Sequence, residues 1–148
     1  MVNNLRIYFK RLSKKAKVPT YTKIGDACCD LYVIEDYTLK PGERCLARTG
    51  IAIEVPEGFE AQIRPRSGWA WKQGLTVVNS PGTVDAGYRG EIKVALVNLG
   101  KDVISIVEGD RVAQMKFSAV FVGHFLDVGD NELNPSVRGS GGFGHSGS

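Results

Sequence analysis

Short β-favouring runs, each cut off by Gly or Pro, recur along almost the whole chain and leave little room for another fold class. Apolar and β-branched residues gather at Phe59 to Ile63, Leu75 to Val78, Ile92 to Val97, Val103 to Val107 and Val112 to Val122. Arg44 to Val55 reads as one or two further strands, and Leu5, Ile7, Phe9 and then Leu12 predict an N-terminal strand. Residues 13 to 26 form a polar connection, while Leu39-Lys-Pro-Gly-Glu43 and Pro56-Glu-Gly58 are turns. Strands of this length with breakers about every 8 to 12 residues predict an all-β barrel or sandwich. Only Ser67 to Gln73 suggests a helix, and no long-period repeat is present.

With 148 residues the chain suits one domain with a real core. No apolar run approaches the roughly 18 residues a membrane span needs, and no signal peptide is visible: Met1 to Lys17 is interrupted by Arg6, Lys10, Arg11, Lys14 and Lys15. Three cysteines, two of them adjacent (Cys28, Cys29) and no CxxC, predict a reducing, cytoplasmic setting and no structural zinc. The formal charge of +3 is uneven, because residues 1 to 23 hold Lys or Arg at seven positions and no acid. A basic arm can signal nucleic acid. No compact basic helix follows it, so a solvated basic face that also draws in polyanions is the reading taken, with no specific nucleic acid and no membrane expected.

Chemistry concentrates at Asn79-Ser-Pro-Gly-Thr-Val-Asp-Ala-Gly-Tyr-Arg-Gly-Glu91. A turn-rich hairpin there can offer backbone N–H and C=O groups to a flat polar ring, while one fixed carboxylate, Asp85, activates a water. Pro65-Arg-Ser-Gly-Trp-Ala70 is the second cluster. Arg66 offers a planar fork of donors for phosphate oxygens, and Ser67 and Gly68 at a helix start would add N–H donors. A surface Arg followed by an N-cap Ser explains the same residues. Gly109-Asp-Arg-Val-Ala-Gln-Met115 alone is a turn entering a strand. Arg138-Gly-Ser-Gly-Gly-Phe-Gly-His-Ser-Gly147 contains GxGxxG and Walker-like spacing, but without a strand before and a helix after, neither dinucleotide nor P-loop reading holds. What remains is a flexible glycine-rich strap able to wrap a phosphate chain, with Phe143 free to stack on a base.

Taken in order with Gly25-Asp-Ala-Cys-Cys-Asp-Leu31, these segments resemble the five motifs of the trimeric dUTPases and span residues 25 to 147. The resemblance implies a jelly-roll-like distorted β-barrel over residues 1–136, with one short helix, and a mobile arm over 137–148 that closes on the site. It implies hydrolysis of dUTP to dUMP and pyrophosphate by a homotrimer with shared active sites and Mg²⁺ as cofactor. Such an activity limits uracil in DNA and supplies dUMP. By the same resemblance Asp85 is the base, and Arg66, Gln114 and Arg138 stabilise charge. Asn79, Gly82, Thr83, Val84 and Lys93 belong to the substrate pocket with Ser67 and Gly68. Tyr88 packs on the deoxyribose, Phe143 caps the uracil, and Gly144, His145 and Ser146 complete the strap. Asp30 holds metal-bound water. His145-Ser146 stands where many members carry Ser-Thr, and Cys28 stands where Gly or another small residue is usual. Two alternatives stay open. Related dCTP deaminases use a Glu about where Ala95 falls, and a non-catalytic nucleotide-binding module could keep the same barrel.

Overall fold

The computed structural model describes residues 4–131 and 133–142. Among them eleven strands form four small sheets, joined by one helix. β1 (Tyr8–Arg11) pairs with β5 (Ile51–Glu54), and β3 (Tyr37–Leu39) with β10 (Ile104–Ile106). A four-stranded sheet has the order β2 (Cys29–Tyr32), β11 (Arg111–Ala119), β6 (Phe59–Pro65), β8 (Gly82–Val84). A three-stranded sheet has the order β4 (Arg44–Arg48), β9 (Lys93–Asn98), β7 (Leu75–Val77). All these pairings are antiparallel. Their inner faces close on one core, in which Leu31, Leu39, Ile51, Leu75, Leu96 and Met115 are almost inaccessible. The all-β, jelly-roll-like expectation holds.

Local chemistry explains the breaks. Arg44 to Val55 resolves into two strands because Thr49 buries its side chain and donates Oγ1 to the Ile92 carbonyl at 2.5 Å, while Gly50 turns with a φ of 68°. At that φ, and with Ala16, Ile34 and Ser13 all 3.1 Å from where a Cβ would stand, only Gly fits without strain. The expected helix is present as α1 (Ser67–Gln73), but its N-cap residue is Arg66, not Ser67, and no side chain caps it. Gly74 ends it in the left-handed region.

Three strands escape the periodicity: Cys29–Tyr32, Tyr37–Leu39 and Gly82–Val84. Each has three or four residues, too few for alternation to stand out. The expected hairpin over residues 79 to 91 also needs correction. β8 pairs with β6 and β9 pairs with β4 and β7, so the segment crosses from one sheet to another. The last long strand stops at Ala119, short of Val122, and Phe121 and Val122 stand exposed.

Candidate active site

A polar cleft of about 650 Å³ opens beside the β6–α1 junction. Arg66, Ser67, Gly68, Asp30 and Gln114 line it, so the structure joins three of the five sequence segments. Asp30 is its anchor. Its side chain is 10% exposed, and Oδ1 meets Arg66 Nε at 2.9 Å. Oδ2 accepts from Arg111 Nη1 at 3.1 Å and from Thr22 Oγ1 at 3.2 Å. Arg66 Nη1 in turn donates to the Arg111 carbonyl at 3.1 Å. Gln114 Nε2 donates to the Pro65 carbonyl at 2.9 Å, tying β11 to the end of β6 a second time.

Arg111 and Thr22 had drawn no attention in the sequence. In strict alternation Arg111 and Gln114 would face opposite sides of β11. A register shift between Arg111 and Ala113 in the β2–β11 ladder adds one residue, and both side chains then reach the cleft. The trace of that bulge is the apolar pair Val112-Ala113, both buried.

A carboxylate offers about four acceptor positions, and Asp30 commits three of them to protein donors. The remaining position is open to a metal-bound water, and Mg²⁺ commonly meets protein that way when phosphates supply its direct ligands. Among the described residues no group of three or more His, Cys, Asp or Glu is arranged to hold a metal on its own.

The Asn79 to Tyr88 segment lies elsewhere. It passes a cis Ser80–Pro81 peptide into β8. Gly82 and Val84 are buried, Thr83 and Asp85 exposed. The Asn79 amide folds over Gly82, where a Cβ would stand 3.1 Å from Nδ2. The Tyr88 N–H closes a turn onto the Asp85 carbonyl at 3.0 Å, and Tyr88 Oη donates to the Glu91 carbonyl at 3.0 Å. Glu91 is fixed in turn by Arg48 Nε at 3.2 Å and the Gly50 N–H at 2.9 Å. Lys93 opens β9, exposed, opposite Arg48.

Register measures how far apart these halves are. Gly82 faces Ile63 and Val84 faces Ala61, so Asp85 continues toward Glu60, whereas Arg66 lies past the other end of β6. Six residues of strand amount to about 20 Å. Within one chain Asp85 and Arg66 do not meet on a single phosphate. Arg138 is a third, separate location: its Nε donates to the Gly141 carbonyl at 2.8 Å on an exposed turn. Phe143, Gly144, His145 and Ser146 lie outside the described residues.

Comparison with known proteins bears on the fold and the family. The family model described as dUTPase matches residues 14–147. The deoxyuridine 5'-triphosphate nucleotidohydrolase of Thermobifida fusca is 50% identical over 144 residues, covering 97% of this chain and 79% of its own. The dUTPase of Staphylococcus bacteriophage 80alpha, solved with dUPNHPP, superposes with a TM-score of 0.89 at 26% identity, covering 97% of this chain and 99% of the other. A point mutant of the dUTPase from phage phi11 of S. aureus, whose structure concerns coordination of a structural Mg(II) ion, has the same fold, with a TM-score of 0.79 at 23% identity over 86% of this chain and 99% of its own. The chain belongs to the dUTPase family.

Proposed function

We propose that this protein hydrolyses dUTP to dUMP and pyrophosphate, as a dUTP diphosphatase. The observation that carries the reading is the cleft in which Arg66, Ser67, Gly68 and Gln114 stand around the buried Asp30 carboxylate, cations outward and anion beneath. That arrangement suits a polyanion such as a triphosphate. Asp85, exposed at the start of a closed turn, is the base that orients and deprotonates the attacking water at the α-phosphorus. Arg66, Gln114 and Arg138 stabilise the charge that grows on the departing pyrophosphate.

Uracil fits the segment from Asn79 to Asp85, where backbone groups of Gly82, Thr83 and Val84 and the Asn79 amide can match its O2, N3 and O4 edge. Cytosine reverses one donor and one acceptor, leaving buried groups unpaired at about 1–3 kcal/mol each. Tyr88 faces the deoxyribose, and Lys93 adds positive charge beside it. Phe143 stacks on the base while Gly144, His145 and Ser146 wrap the phosphates, within a closing arm of residues 137–148. When bound with the triphosphate, Mg²⁺ would neutralise charge and favour pyrophosphate as leaving group, and Asp30 would be the residue that holds it, through water.

The assembly read here is a homotrimer with sites shared between subunits. The separation of about 20 Å between Asp85 and Arg66 along β6 favours it, since another copy must bring the two halves together. So does the exposed apolar stretch after β11, with Phe121 at 95% and Phe125 at 101% exposure, beside an apolar groove of about 900 Å³ lined by Leu5, Ile7, Phe9, Phe59 and Phe117. No helix among the described residues is long and apolar enough to cross a membrane. The three free cysteines suit a cytoplasmic enzyme. Deamination of dCTP is disfavoured, because Ala95, opposite Leu46, supplies no carboxylate.

One assay tests the reading. Pyrophosphate release is followed with dUTP, dCTP, dTTP and UTP side by side in Mg²⁺. Strong release from dUTP alone is expected. Ammonia from dCTP, or intact dUTP, would overturn it.

A further inference from the structure

Arg111 is a cation of the cleft with no role yet assigned. It is 42% exposed, more than Arg66 at 28%, and both converge on one carboxylate that is nearly closed to solvent. We propose that Arg111 is a further triphosphate-binding residue of this site, and that Asp30 is the positioning residue that aims both Arg111 and Arg66 into the cleft; this rests on the dUTP reading above.

Four observations support it. First, each guanidinium spends one nitrogen on Asp30, Nε of Arg66 and Nη1 of Arg111. A guanidinium has five N–H donors in a rigid fork, so donors remain on each for phosphate oxygens. Second, the two residues are coupled directly, since Arg66 Nη1 donates to the Arg111 carbonyl. Third, the bulge in β11 turns Arg111 to the same side as Gln114, and both line the cleft with Lys23, Ser67 and Gly68. Fourth, Asp30 sits on β2 with 7% exposure and is held by Thr22, so it is a fixed post and the arginines are the adjustable parts. Long cationic side chains lose much rotamer freedom when they grip a ligand. A buried carboxylate that pre-orders two of them removes part of that cost before the triphosphate arrives.

The sign of one effect separates this from a plain charge. Taking a negative charge out of an anion site should tighten anion binding by simple Coulomb attraction. If Asp30 positions the forks, its neutralisation should weaken binding instead. Calorimetry in EDTA, with the imido analogue of dUTP and with dUMP as ligands, reads this without metal and without turnover. Arg111→Ala is expected to lower affinity for the imido analogue at least about tenfold, the low end for hydrogen bonds to charged groups, and to leave dUMP within about twofold. Arg111→Lys, which keeps the charge and loses the fork, falls between. Asp30→Asn is expected to weaken analogue binding. Should that variant fail to fold, Asp30→Glu, which keeps the charge and moves it by one methylene, is expected to weaken it too. Analogue affinity within twofold of wild type in Arg111→Ala overturns the role of Arg111. Unchanged or tighter binding in folded Asp30→Asn, or wild-type affinity in Asp30→Glu, overturns the positioning role. A wild-type protein that binds neither ligand would instead overturn the dUTP reading itself.

Discussion

Tyr88 Oη donates to the carbonyl of Glu91, 3.0 Å away, and this bond lays the ring across Gly90. A Cβ on Gly90 would collide with the phenol, the free end of a side chain, so Gly90→Ala should push the ring aside and not unfold the turn. If that ring excludes a 2′-hydroxyl, Tyr88→Ala and Gly90→Ala should both narrow the ratio of kcat/KM for dUTP over UTP. Melting temperature should stay near wild type in both. An unchanged ratio in both variants assigns sugar discrimination to other residues.

Asp85 is exposed and accepts the turn-closing hydrogen bond through its backbone carbonyl, so its carboxylate can change without loss of the turn. Asp85→Asn keeps the shape and removes the base. Turnover should fall by at least about a hundredfold, the low end for loss of a general base, while the imido analogue of dUTP binds almost as in wild type. Turnover within a few-fold of wild type would remove Asp85 from the chemistry.

The long strands and the helix at Ser67–Gln73 were legible because length, flanking Gly and Pro and alternation all carry signal, whereas the break at Gly50 inside Arg44 to Val55 was left open as one strand or two. The short strands were not, since Cys29–Tyr32 is buried at Cys29, Asp30 and Leu31 in succession and shows no alternation. The chemistry of the cleft was partly legible: Arg66 and Ser67 stood out as residue types, Gln114 and Asp30 entered only through the family resemblance, and Arg111 did not enter at all. A bulge re-aims it, and a bulge leaves only two adjacent apolar residues as its sign. Nor could spacing show that the Asp85 turn crosses between sheets, because strand partners are set by tertiary pairing.

Cys29 gives the fold a pH dependence. It is 2% exposed, its thiol donates to the Met115 carbonyl at 3.4 Å, and burial raises its pKa from 9.0 to about 11. The folded state therefore keeps the proton longer than the unfolded chain. Its contribution, on the order of 2 kcal/mol, is fully present below about pH 9 and lost as pH rises through about 11. The stability difference between wild type and Cys29→Ala, from urea unfolding, should narrow from pH 8 to pH 11. A difference that stays constant over that range would show that the thiol does not titrate with unfolding.

None of the described residues from Val137 to Gly142 belongs to the core, and Val137 is fully exposed. Arg138 Nε is bonded inside the segment itself, to Gly141. Deleting Val137 to Ser148 should therefore leave the melting behaviour and assembly unchanged. Fixing such a glycine-rich segment over a nucleotide costs roughly 1–2 kcal/mol per residue in backbone entropy. Only a full set of triphosphate contacts and stacking by Phe143 can offset that, so the segment should close on substrate and not on dUMP, with closure gating turnover. The truncated protein should bind dUMP normally and turn dUTP over at least about a hundredfold more slowly. In the full chain, Phe143→Trp should report closure, with fluorescence changing on addition of the imido analogue and little with dUMP. A truncated protein that keeps full activity would make the segment idle, and one that cannot assemble would make it structural.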